Sequence, residues 1–497
     1  MKRINKYMLF SFIIAFIFLL FTSKNSFLYV FNDWVDANSF FTVGKGMING
    51  LLPYKDLFDQ KGPLLYLIYG IGYLFSHKTY HGVFILEVIS FTIFLYYIHK
   101  IFIMYFKEKY SLLLLPSISM ITCIAIFFVH GGSCEELCLP FIAVSLYYYF
   151  KHFKKERLTN KEIIINGFMA GLVFMMKYTL LGFWIGFCLF ICINYLRKKE
   201  FKKMINFCLL FLLGMIIPFI LFLLYFLINN GVKEFIDTYF IFNMTAYSSD
   251  VHGIKKIFGI FKYIFELLIA IKPLGFVLIL SLILSFLTKE KNKLFRVSLV
   301  FLTYISLFFI CFGAKAYIYY LLPIFSITIV LIILFGVKLI KKYIDLVIDT
   351  KIMLVFSFVF IIILVFMSYF FANYKEEIKY TKKDYVQYKY AEYLSKYKNP
   401  TLLNMGFIDM GLYTTSGIIP NTRYFELINV SYEDYSEIYD EMENYVKNKE
   451  VDFIVYIHYD SNLPPAQYIY DNYELVYRDD YTFEHSPYQA FLFKVKK

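Results

Sequence analysis

The chain has 497 residues, of which 59% are hydrophobic and only 18% are charged, and its formal net charge is +12. Its mean hydropathy is +0.59. Soluble domains are about 45–50% apolar and about 25% charged. The composition therefore excludes an ordinary soluble protein and predicts an integral membrane protein.

The positive charge lies in short basic segments between apolar runs. Residues 373–497 carry 14 Lys and Arg against 20 Asp and Glu, a net charge of −6, so residues 1–372 carry +18. The basic segments of that first part are "MKRINK", "KHFKKERLTNK", "RKKEFKK", "KEKNKLFR" and "KLIKK". Because basic loops stay on the cytoplasmic side of a membrane, this pattern predicts topology and argues against a nucleic-acid partner.

The first elements follow from this rule. A basic start and an apolar run over 8–21 resemble a signal sequence, but no small-residue cleavage site follows, so we predict an uncleaved first helix over 8–31. The next apolar run, "LLYLIYGIGYLF" (64–75), is shorter than the roughly 20 residues that span a bilayer. If it crossed, the strongly basic loop "KHFKKER" would lie outside. We therefore expect 64–75 to form a re-entrant or interfacial helix.

The later apolar runs complete a polytopic bundle. We expect Lys177 at an external hinge between two short helices, 229–256 as an external loop, and an amphipathic helix over 254–270 on the outer surface. The other predicted membrane helices cover 83–105, 111–129, 137–150, 163–176, 178–196, 204–228, 272–288, 297–312, 317–337 and 352–372. The total is about eleven spans, with a cytoplasmic N-terminus and an external C-terminus.

The spans define a predicted domain organisation. Residues 1–372 form an α-helical polytopic transmembrane catalytic domain, and its first external loop (32–82) contains the interfacial helix. Residues 373–497 form an extracytoplasmic α/β domain. In it, "PTLLNMG" and "VDFIVYIHY" have the pattern of buried strands, whereas "KDYVQYKYAEYLSKY" and "YEDYSEIYDEMENYVKNK" have that of amphipathic helices.

Charged residues cluster in the predicted external segments, where acids beside a membrane are costly unless they are paired or functional. We expect three such segments to converge at the outer mouth of the bundle. The candidates in them and at other outer helix ends are Asp33, Asp36, Tyr54, Asp59, Lys61, Glu135, Glu136, Lys177, Lys315 and Tyr319. A carboxylate can act as general base on an acceptor hydroxyl, and a lysine can hold the phosphate of a lipid-linked donor.

Each group also has a structural interpretation. Asp33 and Asp36 are suited to cap an external helix, and Glu135 and Glu136 to stabilise a helix N-terminus through its dipole. The lysines at helix ends are suited to snorkelling, and "DQKGP" to an ion-paired turn. The seven cysteines show no disulfide framework or zinc spacing. No metal cluster is predicted, although acids that share a site leave a divalent cation as an alternative.

Three stretches carry a family resemblance. They are "VDANSFFTVGKGMINGLLPYKDLFDQKGPLLYLIY", "GGSCEELCLPF" and "GAKAYIYYLLP". Together they resemble the bacterial GT-C-fold glycosyltransferases, which are relatives of the protein O-mannosyltransferases and the lipid A aminoarabinose transferases. The resemblance is best over residues 1–150, its most specific part is "PYKDLFDQKGP", and it extends in topology to about residue 372.

The resemblance implies roles for particular residues. Asp36 is implied as the catalytic acid of the first external loop, with Asp33 as the alternative. The second acid is Glu135 or Glu136, although the family commonly has Asp there. Lys61 matches a family lysine near the donor phosphate. The late motif "GAKAYIYYLLP" lacks the Arg or His often found there, so Lys315 is a weaker match.

The predicted function is sugar transfer from a polyprenyl-phosphate donor to an envelope glycan, lipid or protein, at the outer face of the cell membrane and without a cofactor. The acceptor hydroxyl attacks the anomeric carbon with inversion, Asp36 takes its proton, and Lys61, with Lys177 as a candidate helper, stabilises the departing phosphate. The alternatives are a flippase or polymerase of lipid-linked glycans, and a non-catalytic envelope polysaccharide assembly protein.

Overall fold

A computed structural model describes residues 6–154, 157–245, 254–288, 292–313, 317–341, 350–458, 465–483 and 486–496. Most of these residues are helical. The α-helices are, in chain order, α1 (Lys6–Thr22), α2 (Val35–Ile48), α3 (Pro63–Phe75), α4 (His81–Phe102), α5 (Glu108–Cys123), α6 (Cys134–Phe153), α7 (Asn160–Phe174), α8 (Gly182–Arg197), α9 (Phe201–Ile228), α10 (Val232–Phe235), α11 (Ile254–Ala270), α12 (Lys272–Leu287), α13 (Lys293–Ile310), α14 (Leu322–Lys341), α15 (Thr350–Phe371), α16 (Val386–Leu394), α17 (Leu412–Ser416), α18 (Ser436–Lys447) and α19 (Gln467–Asn472). The strands are β1 (Leu402–Met405), β2 (Phe453–His458), β3 (Tyr473–Phe483) and β4 (Ser486–Val495).

Several helices have the length and composition of membrane spans. Within the described residues there are five, namely His81–Phe102, Tyr178–Arg197, Phe201–Ile228, Lys293–Ile310 and Ile318–Leu339. A sixth is added if Ile257–Ala270 and Lys272–Leu287, which meet at 103°, form one broken span. The chain is a multi-pass membrane protein, and the number of about eleven spans stays a prediction.

Some local predictions are confirmed and others were wrong. The short helix expected over 64–75 is α3, and Lys177 lies at the break between α7 and the 3₁₀ turn Tyr178–Leu181. The first helix was predicted to reach residue 31 but ends at Thr22, because the polar residues that follow are buried in interactions of their own. Part of the first external loop forms α2. The expected loop over 229–256 contains α10 and the π-helix Ile236–Phe242.

The chain divides into two compact units. The first unit comprises Met1–Ser23, Glu87–Leu221 and Asp250–Lys375. The second comprises Lys24–Leu86, Phe222–Ser249 and Glu376–Lys497. The second unit therefore combines most of the first external loop with the C-terminal segment (Glu376–Lys497), although the two are far apart in the sequence.

The first unit is built from paired helices. Within it α8 packs on α13, α12 on α14, α6 on α7, and α1 and α15 on α5. Glycines let α7 and α9 approach closely, since a Cβ at Gly167 would collide with the Phe211 carbonyl and one at Gly214 with the Ile164 carbonyl. Any side chain at these two positions would push the two backbones apart.

The second unit is built on a four-stranded sheet of order β1-β2-β4-β3. Strand β1 runs parallel to β2, and the β2–β4 and β4–β3 pairs are antiparallel. The predicted strands and helices of the C-terminal segment are confirmed as β1, β2, α16 and α18, whereas the β3–β4 pair was not predicted. Helix α2 packs on α3 through Gly44, where a Cβ would lie only 2.6 Å from the Gly70 nitrogen.

Candidate active site

The stretch "PYKDLFDQKGP" forms a tight loop anchored to the C-terminal segment of the second unit. Tyr54 has a left-handed backbone conformation (φ 72°), and its N–H donates to the Leu57 carbonyl at 2.7 Å. The N–H of Phe58 donates to the Arg423 carbonyl at 2.9 Å. The Phe58 ring is 2% exposed and belongs to a core that includes Phe242 and residues of the sheet. The charges of this stretch therefore stand on a fixed backbone.

Asp59 lies inside this loop and is only 4% exposed. Its carboxylate accepts hydrogen bonds from the Tyr66 hydroxyl at 2.9 Å, the Gln60 N–H at 2.6 Å and the Ser39 hydroxyl at 3.3 Å. Burial raises the pKa of Asp59, although the charge of Lys61 and the hydrogen bonds act in the opposite direction. Asp59 is thus a buried carboxyl group whose position is fixed by hydrogen bonds.

Two further buried acids come from the C-terminal segment, and the first is Glu426. Its carboxylate accepts from the Ser39 hydroxyl at 2.6 Å and from the Asp409 N–H at 2.8 Å. The pKa of Glu426 is raised well above its usual value, mainly by burial and then by the charges of Asp59 and Asp409. The single Ser39 hydroxyl is therefore shared between Asp59 and Glu426, with the shorter contact to Glu426, and it joins α2 to the C-terminal segment.

The second of these acids is Asp409, which is fully buried. It accepts from the Thr42 hydroxyl and from the Gly411 N–H, both at 2.7 Å. Burial raises its pKa to about 6, against these hydrogen bonds and the charge of Lys45. Sequence reasoning missed Asp409, although a polar residue shortly after a predicted buried strand was a signal for it.

Lys45 is the buried cation of this region. Its ammonium group donates to the Tyr413 carbonyl at 2.8 Å and to the Ile418 carbonyl at 2.5 Å. Burial lowers its pKa to about 7, opposed by the charge of Asp409 and reinforced by Lys78. Helix α2 is thus attached to the C-terminal segment by Ser39, Thr42 and Lys45, which follow one another at helical spacing.

Asp33 is held in a different arrangement. Its carboxylate and that of Glu377 both pair with the ammonium group of Lys24, whose side chain is fully buried. Burial opposes the charge on Lys24, but the attraction of the two carboxylates prevails and raises its pKa. Glu377 also accepts from the Tyr385 hydroxyl at 3.3 Å. Asp33 therefore joins the start of the external loop to the segment after α15.

Asp36 and Lys61 are the predicted residues of the second unit that stay half-buried. Asp36 lies in the first turn of α2, and both its charge and that of Lys61 act on the Asp59 carboxyl group. The backbone at Lys61 is fixed, because its carbonyl accepts from the Tyr54 hydroxyl at 2.7 Å and its N–H donates to the Tyr66 hydroxyl at 2.8 Å. Tyr54 itself is fully buried and supports the loop from inside.

The first unit holds the other predicted acids. Glu135 is fully buried, and its carboxylate pairs with the Lys177 ammonium group at 2.5 Å. That ammonium group also lies over the ring of Tyr320, and the Tyr319 ring lies edge-on to Tyr320 with the centroids 4.8 Å apart. The start of α6, the break after α7 and the turn Ile318–Leu321 are therefore brought together within this unit.

Glu136 has different partners. It accepts from the Gly132 N–H at 2.8 Å and lies against the carboxyl group of Glu87, which is fully buried in α4. The Ser23 hydroxyl donates to Glu87 at 3.0 Å, and a Cβ at Gly131 would collide with both Ser23 and Glu87. Sequence reasoning missed Glu87, although a lone acid in an apolar predicted span is a recognised sign of function.

One predicted residue, Lys315, lies outside the described residues. Among the described residues, no group of three or more His, Cys, Asp or Glu side chains is placed to hold a metal ion.

The Asp36, Asp59 and Lys61 group of the second unit offers a half-buried carboxylate and a half-buried cation beside a buried carboxyl. Such a group can accept a proton from a hydroxyl and bind an anionic leaving group.

Comparisons with known proteins place the fold. Residues 1–345 match the family described as competence-induced protein Ccs4, N-terminal domain. The search of curated proteins finds no significant match. Among solved structures, ArnT from Cupriavidus metallidurans is similar, both in the apo state and bound to undecaprenyl phosphate. Each comparison gives a TM-score of 0.60 and 10% identity, and it covers 98% of this chain and 97% of that chain. The apo oligosaccharyltransferase of Archaeoglobus fulgidus gives a TM-score of 0.45 and 11% identity over 90% of this chain and 69% of that chain.

The match to ArnT over nearly the whole of both chains shows that the chain has the GT-C fold. The predicted relation to GT-C proteins is thereby confirmed at the level of fold. Because the family match covers residues 1–345 of 497, the chain belongs to the competence-induced protein Ccs4 N-terminal domain family.

Proposed function

We propose that the protein is a membrane glycosyltransferase that moves a sugar from a polyprenyl-phosphate donor to an acceptor of the cell envelope. The observation that carries this proposal is the group of Asp36, Asp59 and Lys61, in which a half-buried acid and a half-buried cation both act on one buried carboxyl. The GT-C fold supports it, and so does the ArnT structure that was solved with undecaprenyl phosphate.

In the proposed step, Asp36 is the general base. The acceptor hydroxyl loses its proton to the Asp36 carboxylate, and its oxygen forms a new bond to the anomeric carbon of the donor sugar. The bond from that carbon to the phosphate oxygen breaks, and its electron pair leaves with the polyprenyl phosphate. Attack opposite to the leaving group inverts the anomeric configuration.

Lys61 supplies the electrostatic part of this step. Negative charge grows on the phosphate as the bond breaks, and a nearby ammonium group stabilises the transition state more than the ground state. Asp59 has a positioning role, because its buried carboxyl is held by Tyr66 and Ser39 and faces the charge of Lys61. No cofactor takes part in the proposed step.

The two glutamates at the start of α6 receive different roles. Glu135 is paired with the partly exposed Lys177, and we assign to it the role that the resemblance gives to the second acid. The carboxyl group of Glu136 instead interacts with the Gly132 N–H and the Glu87 carboxyl group within the first unit. The proposed orientation has the basic loops in the cytoplasm and the C-terminal segment outside, as the positive-inside rule requires.

The direct test is sugar transfer in membranes from cells that express the full chain. The donor is radiolabelled polyprenyl-phosphate hexose, offered as several sugars, and the acceptors are the cell's own envelope polymers. The proposal expects label in a polymer, lipid or protein fraction above the level of vector-only membranes. A flippase would move labelled lipid between leaflets without breaking the sugar–phosphate bond, so recovery of intact donor in the outer leaflet alone would overturn the proposal. Repeating the assay with a chelator tests the divalent cation.

A further inference from the structure

The second unit contains an open groove of about 650 Å³ that shares no lining residue with the candidate active site. Its charged lining residues are Lys78, Lys382, Lys383, Lys389 and Glu392, and the rest of the lining consists of serine, threonine and tyrosine side chains and one alanine. A groove of this size accommodates a ligand of headgroup dimensions, since small-molecule sites commonly have about 300–1,000 Å³.

The groove carries an excess of positive charge. Lys389 is paired with Asp479 at 2.6 Å. Within the described residues, no ion pair involves Lys78, Lys382 or Lys383, and all three side chains are exposed. Lys78 also acts on the buried Lys45, so its charge reaches beyond the groove. Like charges collected around a concave surface raise the local potential and attract an anion.

The acid nearest in sequence to these lysines is engaged elsewhere. Lys382 and Lys383 lie in the 3₁₀ turn Lys382–Asp384, which directly precedes α16. The carboxylate of Asp384 accepts from the Thr381 N–H at 2.7 Å and from its hydroxyl at 2.9 Å. This capping arrangement fixes the turn and satisfies the acid locally. Asp384 therefore does not neutralise the two lysines, and the Lys382 ammonium group lies 5.3 Å from the centre of the Tyr388 ring, which also lines the groove.

Lys78 is brought to the groove from a distant segment by close packing. Gly417 has a left-handed backbone conformation (φ 83°), and a Cβ there would lie 2.8 Å from Cε of Lys78. The stem of Lys78 thus crosses the position that a side chain at 417 would fill. Glycine at this position both relieves the backbone and leaves room for the lysine.

The helix end that precedes Lys78 in the chain is apolar and exposed. Lys78 follows the end of the apolar helix α3, where the side chains of Leu74 and Phe75 are 55% and 68% exposed. Exposed large apolar side chains next to lysines are typical of segments at a membrane–water interface, where chains enter the lipid and cations meet the headgroups. A soluble phosphate has no apolar part that could contact these exposed side chains.

We infer that this basic groove binds the phosphate of an anionic lipid headgroup. The lysines from the two segments hold the phosphate oxygens, and the exposed end of α3 contacts the acyl chains. The site shares no residue with the proposed sugar transfer and does not depend on it.

The test is lipid binding by the full-length chain in non-ionic detergent, read by native mass spectrometry. The probes are dioctanoyl phosphatidylglycerol, dioctanoyl phosphatidylcholine and glycerol 3-phosphate. The variants are Lys382→Gln/Lys383→Gln, Lys78→Gln and a matched control, Lys396→Gln/Lys398→Gln, whose lysines are exposed in the same segment but do not line the groove. Thermal melting of each variant confirms that the fold is retained.

The inference predicts that phosphatidylglycerol binds the wild type at least tenfold more tightly than phosphatidylcholine. The Lys382/Lys383 variant and the Lys78 variant should each weaken phosphatidylglycerol binding at least fivefold, and the control should change it less than twofold. Equal weakening in the control would mean diffuse charge attraction and would overturn the inference. Displacement of the lipid by an equal concentration of glycerol 3-phosphate would also overturn it, because the site would then bind free phosphate.

Discussion

The hydroxyl of Ser39 donates to the carboxylate of Glu426 at 2.6 Å, across 387 residues of sequence. This bond ties α2, which carries Asp36, to the C-terminal segment of the second unit. Thr42 and Lys45 make further bonds of the same kind to Asp409 and to the Tyr413 carbonyl. The C-terminal segment is therefore part of the support of the candidate active site.

The buried carboxyl group of Asp409 is expected to make the stability of the protein depend on pH. The pKa of Asp409 is raised from 3.8 to about 6, so between these values the folded chain keeps a proton that the unfolded chain has lost. The contribution of this group to the free energy of unfolding therefore falls by about 3 kcal/mol in total as the pH rises through that window. Above the window it is constant. Asp409→Asn should remove this part of the slope. The measurement is the apparent melting temperature in detergent between about pH 4 and pH 7.

Wild type and variant serve as each other's control in this experiment. If both lose the same stability over that pH range, Asp409 does not keep its proton in the folded state, and the burial argument is wrong.

Phe58 anchors the loop that carries Asp59 and Lys61. Its ring is 2% exposed in a core with Phe242 and Tyr424, so Phe58→Ala should lower the free energy of unfolding by about 3–5 kcal/mol. The matched control is Lys55→Ala in the same loop, whose exposed side chain should contribute less than about 0.5 kcal/mol. Denaturant or thermal melting in detergent compares them. Equal stability of the two variants would show that the loop is not docked as described.

Lys61 is expected to act through its charge alone. Tyr54 and Tyr66 hold the backbone at this residue, so Lys61→Ala leaves the loop in place. Loss of a cation that stabilises the departing phosphate should lower the transfer rate by about 100-fold or more. Lys55→Ala removes an exposed lysine of the same loop and should transfer at the wild-type rate. Membrane insertion is checked by expression and melting, and full activity in Lys61→Ala would refute the assignment.

The adjacent glutamates of the first unit should respond differently to neutral substitution. Glu135→Gln leaves Lys177 without its carboxylate and should lower transfer at least tenfold. In Glu136→Gln, the new amide can still accept from Gly132 and can donate to Glu87, so activity should stay within about threefold of the wild type. The measurement is the transfer rate at matched protein level. The reverse order of effects would assign the second acid to Glu136.

The membrane helices could be predicted because their apolar runs are long and their loops are basic. Helix α2 could not, since it contains Asp36, Asn38, Lys45 and two glycines and has no apolar stripe of its own. It is helical because Gly44 lets it touch α3 and because its polar side chains have buried partners in the C-terminal segment. Such partners are invisible to local pattern reasoning.

The candidate site divides in the same way. Asp36, Asp59 and Lys61 were predicted, since acids and lysines beside a membrane are unusual enough to be noticed locally. Asp409 and Glu426 were not, although each stands between apolar neighbours in the sequence. Their burial, complete for Asp409 and to 2% exposure for Glu426, depends on contacts made by distant parts of the chain, which local sequence patterns do not show.

Asp36 is proposed as the base of a sugar transfer reaction. The most direct measurement compares label transfer from polyprenyl-phosphate hexose by the wild type, Asp36→Asn and Asp56→Asn at matched protein levels. Asp56 is a control in the same external loop, whose carboxylate caps the Leu52 N–H at 2.7 Å, a bond that an asparagine oxygen can still accept. Transfer is expected to be lost in Asp36→Asn and kept in Asp56→Asn. Transfer by Asp36→Asn at the wild-type rate would show that Asp36 is not the base.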